Sequence, residues 1–344
     1  MLFRFSIVWF VAVVSCFSQD SSQTYEVYVS KNLIGTLIEA KIISKDVNSS
    51  KKILYHAFKE IERIDSLLAW QIPTSEISKI NSSAGKSPVK ISYETYSILE
   101  RSLAYSESSN GIFDVTIGPL TQLWGFNGDE EPTTVPDGRA IDSCLKLVGY
   151  KDLILNSNDT SAFLKRAGMS IDLGGIGKGY AIDRASDVLK RNGLTSFLFN
   201  AGGDVLVSGY KAEDQNWTVG IKDPRKEDKL LGSVELTDKS IATSGDYERY
   251  FEVDGKRYHH IIDPFTGYPA SNSVSVSVIA ESAERADALA TTVFITQGIT
   301  GWQGTSDEEF LIVPNDLKNI FSPVSKKNTT SNRLNNLIKC PALK

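Results

Sequence analysis

Cysteine is scarce: the 344 residues hold only Cys16, Cys144 and Cys340, far apart. No C-x-x-C pair and no Cys/His spacing of the zinc type occurs, which speaks against a structural zinc or a dithiol redox centre. If Cys16 is lipidated or removed, Cys144 and Cys340 either pair in an oxidising compartment or stay as small buried hydrophobes. Basic residues are not in excess, with 37 Lys and Arg against 42 Asp and Glu and a formal charge of −5. No basic stripe stands out either, so a nucleic-acid partner is not expected. No internal repeat is visible. Histidine is as rare as cysteine, three in all, and two of them adjoin.

A long apolar run is also missing. Phe5 to Val14 is almost wholly apolar behind Arg4, but a bilayer-spanning helix needs about 20 such residues. The stretch fits the apolar core of a secretory signal over residues 1–18. Val13-Val14-Ser15-Cys16 reads as a lipobox, with Cys16 lipidated as the first mature residue. Cleavage after Ser18, using the small residues Cys16 and Ser18, is the competing reading. Either way an exported protein is expected, in the periplasm or anchored outside the cytoplasm, with membrane contact only through the lipid.

What is present is a chain long enough for one large domain or two modest ones, with 41% apolar residues and a sizeable core. Thr24 to Ser30 and Thr36 to Ile43 alternate like strands on either side of Gly35, suggesting a hairpin. Ile53, Leu54, Ala57, Ile61, Ile64, Leu67 and Leu68 recur at helical spacing within Lys51 to Leu68. Tyr93 to Ser106, residues 181–192 and residues 283–297 also read as helices. Phe197 to Asn200, Asp204 to Val207, Trp217 to Ile221, Ser233 to Leu236 and residues 249–262 and 273–279 read as strands. Residues 127–139 are an acidic, turn-rich loop. The elements lack a βαβ rhythm, which predicts an α+β fold with a mainly antiparallel sheet over residues 24–322. Residues 323–344 turn polar and basic, like a mobile tail.

Four segments carry chemistry. In Ile171-Asp172-Leu173-Gly174-Gly175-Ile176-Gly177-Lys178-Gly179-Tyr180 a short strand (Met169 to Leu173) enters a glycine turn and a helix leaves it. Glycines allow close backbone approach, the helix start offers N–H groups to an anion, and Lys178 adds charge. This is a phosphate cradle, though neither a P-loop nor a G-x-G-x-x-G fingerprint. Taken alone it is as well read as a tight turn with an exposed lysine. His259-His260-Ile261-Ile262-Asp263-Pro264-Phe265-Thr266-Gly267 ends a strand in a rigid turn, and a histidine there suits a general base. Taken alone it is better read as one inward and one outward side chain. In Ala286-Asp287-Ala288-Leu289-Ala290-Thr291-Thr292, Asp287 and Thr291 are four apart and share a helix face. Both are hard oxygen ligands suited to Mg²⁺, although a solvent-facing Asp is the plainer reading. Gly111-Ile112-Phe113-Asp114-Val115-Thr116-Ile117-Gly118-Pro119-Leu120 alternates like a strand stopped by Gly118-Pro119. Its backbone at Thr116 to Gly118 could hold a polar heterocycle, or could simply end a buried strand.

With Ile34-Gly35-Thr36, Ser75-Glu76-Ile77-Ser78 and Asn81, Asn200-Ala201-Gly202-Gly203-Asp204 and Ala242-Thr243-Ser244-Gly245-Asp246-Tyr247, these runs occur in an order that resembles the ApbE family of FAD:protein FMN transferases, over roughly residues 30–300. The resemblance implies the T-fold-like ApbE catalytic domain, FAD as substrate and Mg²⁺ as cofactor. It implies that Asp172 and Lys178 contact FAD, and that Thr116, Ile117 and Gly118 touch it through their backbone. Ile261 would lie against it, with Ile34 and Trp70 near the nucleotide. Ile34 stands where many members have methionine, and Trp70 where many have tyrosine. The Gly175 carbonyl, Asp287 and Thr291 would bind the metal. Ala290 stands where some members have a second acidic residue, which leaves the number of metal-binding carboxylates open. Lys178 and His260 would be catalytic, His260 as the base for the acceptor hydroxyl, with Asp246 as its substitute.

The activity so implied moves FMN from FAD onto a Thr or Ser of an exported or membrane flavoprotein and releases AMP. Two rivals use the same residues: an FAD pyrophosphatase, in which water replaces the acceptor, and a non-catalytic flavin-binding protein.

Overall fold

The computed structural model describes residues 15–17, 23–126, 132–296 and 308–315. Its centre is an eight-stranded sheet. In spatial order the strands are Ser15–Phe17, Thr24–Leu33, Thr36–Ser44, Phe197–Ala201, Asp204–Ser208, Lys239–Gly245, Ser273–Ala280 and Glu309–Pro314, each pair antiparallel. The expected α+β class with a mainly antiparallel sheet is what the chain adopts. Residues 1–14 and 18 of the expected signal and the expected tail lie outside the described residues. Ser15–Phe17 forms an edge strand paired with Thr24 to Glu26, so either expected cleavage would shorten or remove it. Among the described residues no helix is long and apolar enough to cross a membrane.

The expected first hairpin forms. Ile34 (φ 46°) and Gly35 (φ 73°) both take positive φ, the requirement of a two-residue turn whose twist matches its strands. Gly35 does so freely, whereas a β-branched residue rarely does, so Ile34 is a strained position.

Helix Val47–Leu68 starts where Asp46 accepts a hydrogen bond from Ser49 N (2.9 Å), the usual N-cap contact. Its buried face, including Leu54, Ala57, Ile61 and Ile64, joins Ile38, Ala40, Ile42, Phe197 and Phe199 of the sheet in one core, with Ile182, Ala185 and Leu189 of helix Gly177–Arg191. Strand Ser273–Ala280 is buried along its whole length, because both faces are covered. Val276, Val278 and Ala280 pack on helix Ala283–Thr296, while Ile279 faces the ribbon of Trp217–Lys222 and Leu230–Leu236. The period-2 alternation of a strand sends neighbours to opposite layers.

Three expected strands are corrected. Gly118–Trp124 is a helix with proline in its first turn and left-handed Gly125 at its end, so Gly118-Pro119 begins an element rather than stopping one. Proline suits that first turn because its missing N–H would be unpaired there anyway. Met169 to Leu173 is extended but pairs only through one parallel bridge, Ile117 to Ser170. Residues 249–262 form a short hairpin, Tyr250–Val253 with Lys256–His259.

Candidate active site

The glycine turn is held from three sides. The Asn81 amide pairs with Ile171, its Nδ2 donating to the Ile171 carbonyl (3.0 Å) and its Oδ1 accepting the Ile171 N–H (2.7 Å). Asp172 N donates to the Val115 carbonyl (2.8 Å). The Asp172 carboxylate accepts from Gly174 N (2.8 Å) and from Thr121 Oγ1 (2.8 Å). Helix Gly177–Arg191 then departs. Two N–H groups at its start are committed inside the protein: Gly177 N donates to the Leu173 carbonyl (2.7 Å) and Gly179 N to Asp287 Oδ2 (3.1 Å). The cradle expected there is thus partly filled by the chain itself.

Gly179 also explains how two helices meet. A Cβ on it would stand 2.2 Å from the Ala283 carbonyl oxygen. Only glycine lets Gly177–Arg191 cross the first turn of Ala283–Thr296 this closely. Four residues on, Asp183 accepts hydrogen bonds from Ala283 N (3.0 Å) and Glu284 N (2.8 Å), capping that second helix. Burial raises the Asp183 pKa to about 6, against the pull of these two N–H groups.

The second helix carries Asp287 and Thr291 toward the turn. Asp287 is nearly buried, with 4% of its side chain exposed. The Thr291 hydroxyl lies 3.3 Å from where a Cβ on Gly175 would stand, so the Gly175 backbone and Thr291 are neighbours. A carboxylate, a hydroxyl and a backbone segment converge here, a hard-oxygen set that suits Mg²⁺, which takes one or two protein carboxylates and keeps water. Ala290 points away into the apolar core with Val276. Among the described residues no group of three or more His, Cys, Asp and Glu could hold a metal.

Lys178 Nζ sits 3.2 Å from Asp287 Oδ1 and 2.8 Å from Asp204 Oδ2. Burial would lower the ammonium's pKa, but the two carboxylates outweigh it and raise it. The two carboxylates thus favour the charged form of Lys178.

His259 and His260 divide as one inward and one outward side chain. His259 is buried; its Nδ1 accepts from Ile261 N (3.2 Å) and its Nε2 lies 2.7 Å from the Ala270 carbonyl. That places the proton on Nε2 and makes His259 a clamp on the turn. His260 lines the cleft and has a buried Nδ1 without a hydrogen-bond partner. Burial, followed by the charges of His259, Arg249 and Lys178, lowers its pKa to about 3. The ring is neutral at physiological pH with Nδ1 unpaired, and the same burial makes it a weak base until a bound substrate changes its surroundings. The substitute base fares worse: Asp246 is gripped by Arg225 through two contacts of 2.7 Å.

These groups line one cleft of about 690 Å³. It brings together Ile34, Trp70, Ile117, Asp172, Gly175, Lys178, His260, Ile261, Asp287 and Thr291. Thr116 and Gly118 stand behind the wall. Thr116 Oγ1 donates to Asp114 (2.7 Å) and accepts from Gly149 N (2.8 Å), and Gly118 N donates to the Ser170 carbonyl (3.2 Å). Sequence reasoning did not single out Asp65, Glu248 and Arg249 in the cleft wall, nor the roles of Asp183 and Asp204. Asp183 lies in the helix expected over residues 181–192 and Asp204 ends the Asn200 to Asp204 run, so both lay within segments already marked.

The ApbE family model matches residues 34–308. A FAD:protein FMN transferase of Klebsiella pneumoniae is 37% identical over 266 residues, which are 76% of this chain and 80% of that protein. One from Treponema pallidum is 35% identical over 282 residues, 76% of each chain. Among solved structures, the ApbE protein of Thermotoga maritima superposes with a TM-score of 0.78 at 36% identity, covering 88% of this chain and 97% of that one. The flavin transferase ApbE from Vibrio cholerae gives 0.77 at 27%, covering 88% and 98%.

Proposed function

The chain belongs to the ApbE family, and on that premise we propose that it is a FAD:protein FMN transferase that joins FMN to a threonine or serine hydroxyl of an exported flavoprotein and releases AMP. The observation that carries this reading is the meeting, in one cleft, of a fixed cation, a hard-oxygen set and a neutral histidine with an unpartnered nitrogen. A cleft of about 690 Å³ is of ordinary size for a small-molecule ligand. The Trp70 ring and Ile34, Ile117 and Ile261 supply apolar surface for flat rings, and Lys178 supplies charge for a diphosphate.

In the proposed reaction the acceptor hydroxyl oxygen attacks the FMN phosphorus of FAD. His260 takes the hydroxyl proton. A new P–O bond forms to the acceptor, and the P–O bond to the AMP phosphate breaks. AMP leaves with that electron pair. Lys178 offsets the charge that builds on the phosphate oxygens. Asp287, Thr291 and the Gly175 carbonyl would hold Mg²⁺, which supplies further positive charge at the diphosphate. An acceptor outside the cytoplasm fits the secretory signal expected over residues 1–18.

The test mixes the signal-free protein with FAD, Mg²⁺ and an acceptor domain bearing a flavinylation threonine. A fluorescent acceptor band on a denaturing gel, lost with EDTA, is expected. AMP and free FMN without a band would replace the transferase by a pyrophosphatase. Retained FAD with neither product would replace it by a binding protein.

A further inference from the structure

The run Asn200 to Asp204 delivers a buried carboxylate that the proposed reaction does not use. Asp204 opens strand Asp204–Ser208 and is 2% exposed. It also accepts a hydrogen bond from the Thr243 backbone. Its Oδ2 stands 2.8 Å from Lys178 Nζ, closer than the 3.2 Å to Asp287 Oδ1. The ammonium therefore lies between two nearly buried carboxylates, one on the sheet and one on the helix that carries Thr291. With both carboxylates ionised beside one ammonium the centre carries a formal charge of −1, and burial followed by the Asp287 charge raises the Asp204 pKa to about 7, so that state is costly on its own. Such a centre gains by taking up a further cation, because an uncompensated buried charge is costly.

We infer that Lys178 and a divalent cation compete for Asp287, and that Asp204 is the positioning residue that retains Lys178 when the cation takes over. Without an incoming cation, the ammonium neutralises Asp287. When a divalent ion binds Asp287, repulsion drives Lys178 away, and Asp204 is the anion on its other side. Asp204 thus lets two cations share one small site, one on each carboxylate. It touches neither the reacting atoms nor the cation and acts through Lys178. The inference rests on the metal set proposed above.

The geometry gives opposite signs to two substitutions. Asp204→Asn leaves Lys178 with Asp287 as its remaining carboxylate, so a metal must displace a more firmly held ammonium. Lys178→Met removes the competitor and leaves two carboxylates uncompensated, so a metal is drawn in. Changes beside metal ligands commonly shift affinity by about 10–100-fold. The measurement is Mn²⁺ binding to the full chain without FAD or acceptor, by EPR of free Mn²⁺, with Mg²⁺ as competitor. Asp204→Asn is expected to bind Mn²⁺ about tenfold more weakly and Lys178→Met about tenfold more tightly. Asp287→Ala should bind none. If the wild type binds and Asp204→Asn binds equally well, the inference is overturned while the metal set stands. If Lys178→Met binds more weakly, competition is likewise overturned, and this holds even if Asp204→Asn fails to fold. If neither the wild type nor any variant binds, both the metal set and the inference fall.

Discussion

Replacing Gly179 by alanine should damage the protein although it improves the helix. Alanine is favoured over glycine inside a helix by about 1 kcal/mol. Here the new methyl would lie 2.2 Å from the Ala283 carbonyl oxygen, 2.4 Å from its carbon and 2.6 Å from Glu284 N. All three are backbone atoms at the start of the helix bearing Asp287, so no side chain can swing aside. The helices must part by about 1 Å to restore ordinary contact in a close-packed interior. Overpacking of this kind costs about 1–3 kcal/mol, sometimes more, and the propensity gain offsets a part. Contacts as short as these put the cost at the upper end of that range, for an expected net loss of about 2 kcal/mol. The same displacement carries Asp287 and Thr291 away from Gly175 and stretches the 3.1 Å bond from Gly179 N to Asp287. A misplacement of about 1 Å at a reacting site can cost about 100-fold in rate. Urea unfolding followed by circular dichroism reads the first effect, and the rate of FMN transfer reads the second. A Gly179→Ala protein as stable as the wild type would refute the close approach. Lower stability with an undiminished rate would refute the link between that approach and the site.

Two further predictions concern pH. The His260 ring should stay neutral from pH 8 down to about pH 5 in ring-nitrogen NMR, since its pKa lies near 3. With only three histidines in the chain, a spectrum of His260→Gln assigns the signal, and titration near 6.5 would remove the basis for its proposed state. The same substitution should lower the transfer rate by about 10²–10⁴-fold if His260 is the base. For Asp183, the folded pKa of about 6 lies above the ordinary 3.8, so the folded state binds the proton more tightly than the unfolded chain. Its contribution to stability is full below pH 3.8 and is lost as pH rises through about 6. Asp183→Asn should flatten the stability difference across that window; an unchanged pH profile would count against the burial of this carboxylate.

The local elements were largely legible in the amino-acid order, because they obey short-range rules. The apolar spacing of Lys51 to Leu68 marks a helix whatever surrounds it, and Gly35 marks the hairpin it closes. Alternation failed at Gly111 to Leu120. Asp114 and Thr116 look like the polar face of a strand, but the Asp114 carboxylate collects the N–H groups of Thr116 and Tyr150 (2.8 Å each). A residue 36 positions away decides that conformation. Lys178, His260, Asp287 and Thr291 were marked by the chemistry of their own segments, whereas Ile34, Trp70, Asp172 and Ile261 were named only through the family resemblance; all of them line the cleft.

What the sequence determined by itself was therefore the kind of groups available and the elements that carry them. Tertiary structure decided which of them meet. Asp204 and Lys178 are 2.8 Å apart only because the sheet sets the start of one strand against the start of a helix. Gly179 matters because of Ala283, and His260 is held neutral because packing strips water from its ring. Distances across the fold and the desolvation of charge depend on everything packed around a residue, and no run of neighbouring letters contains that information.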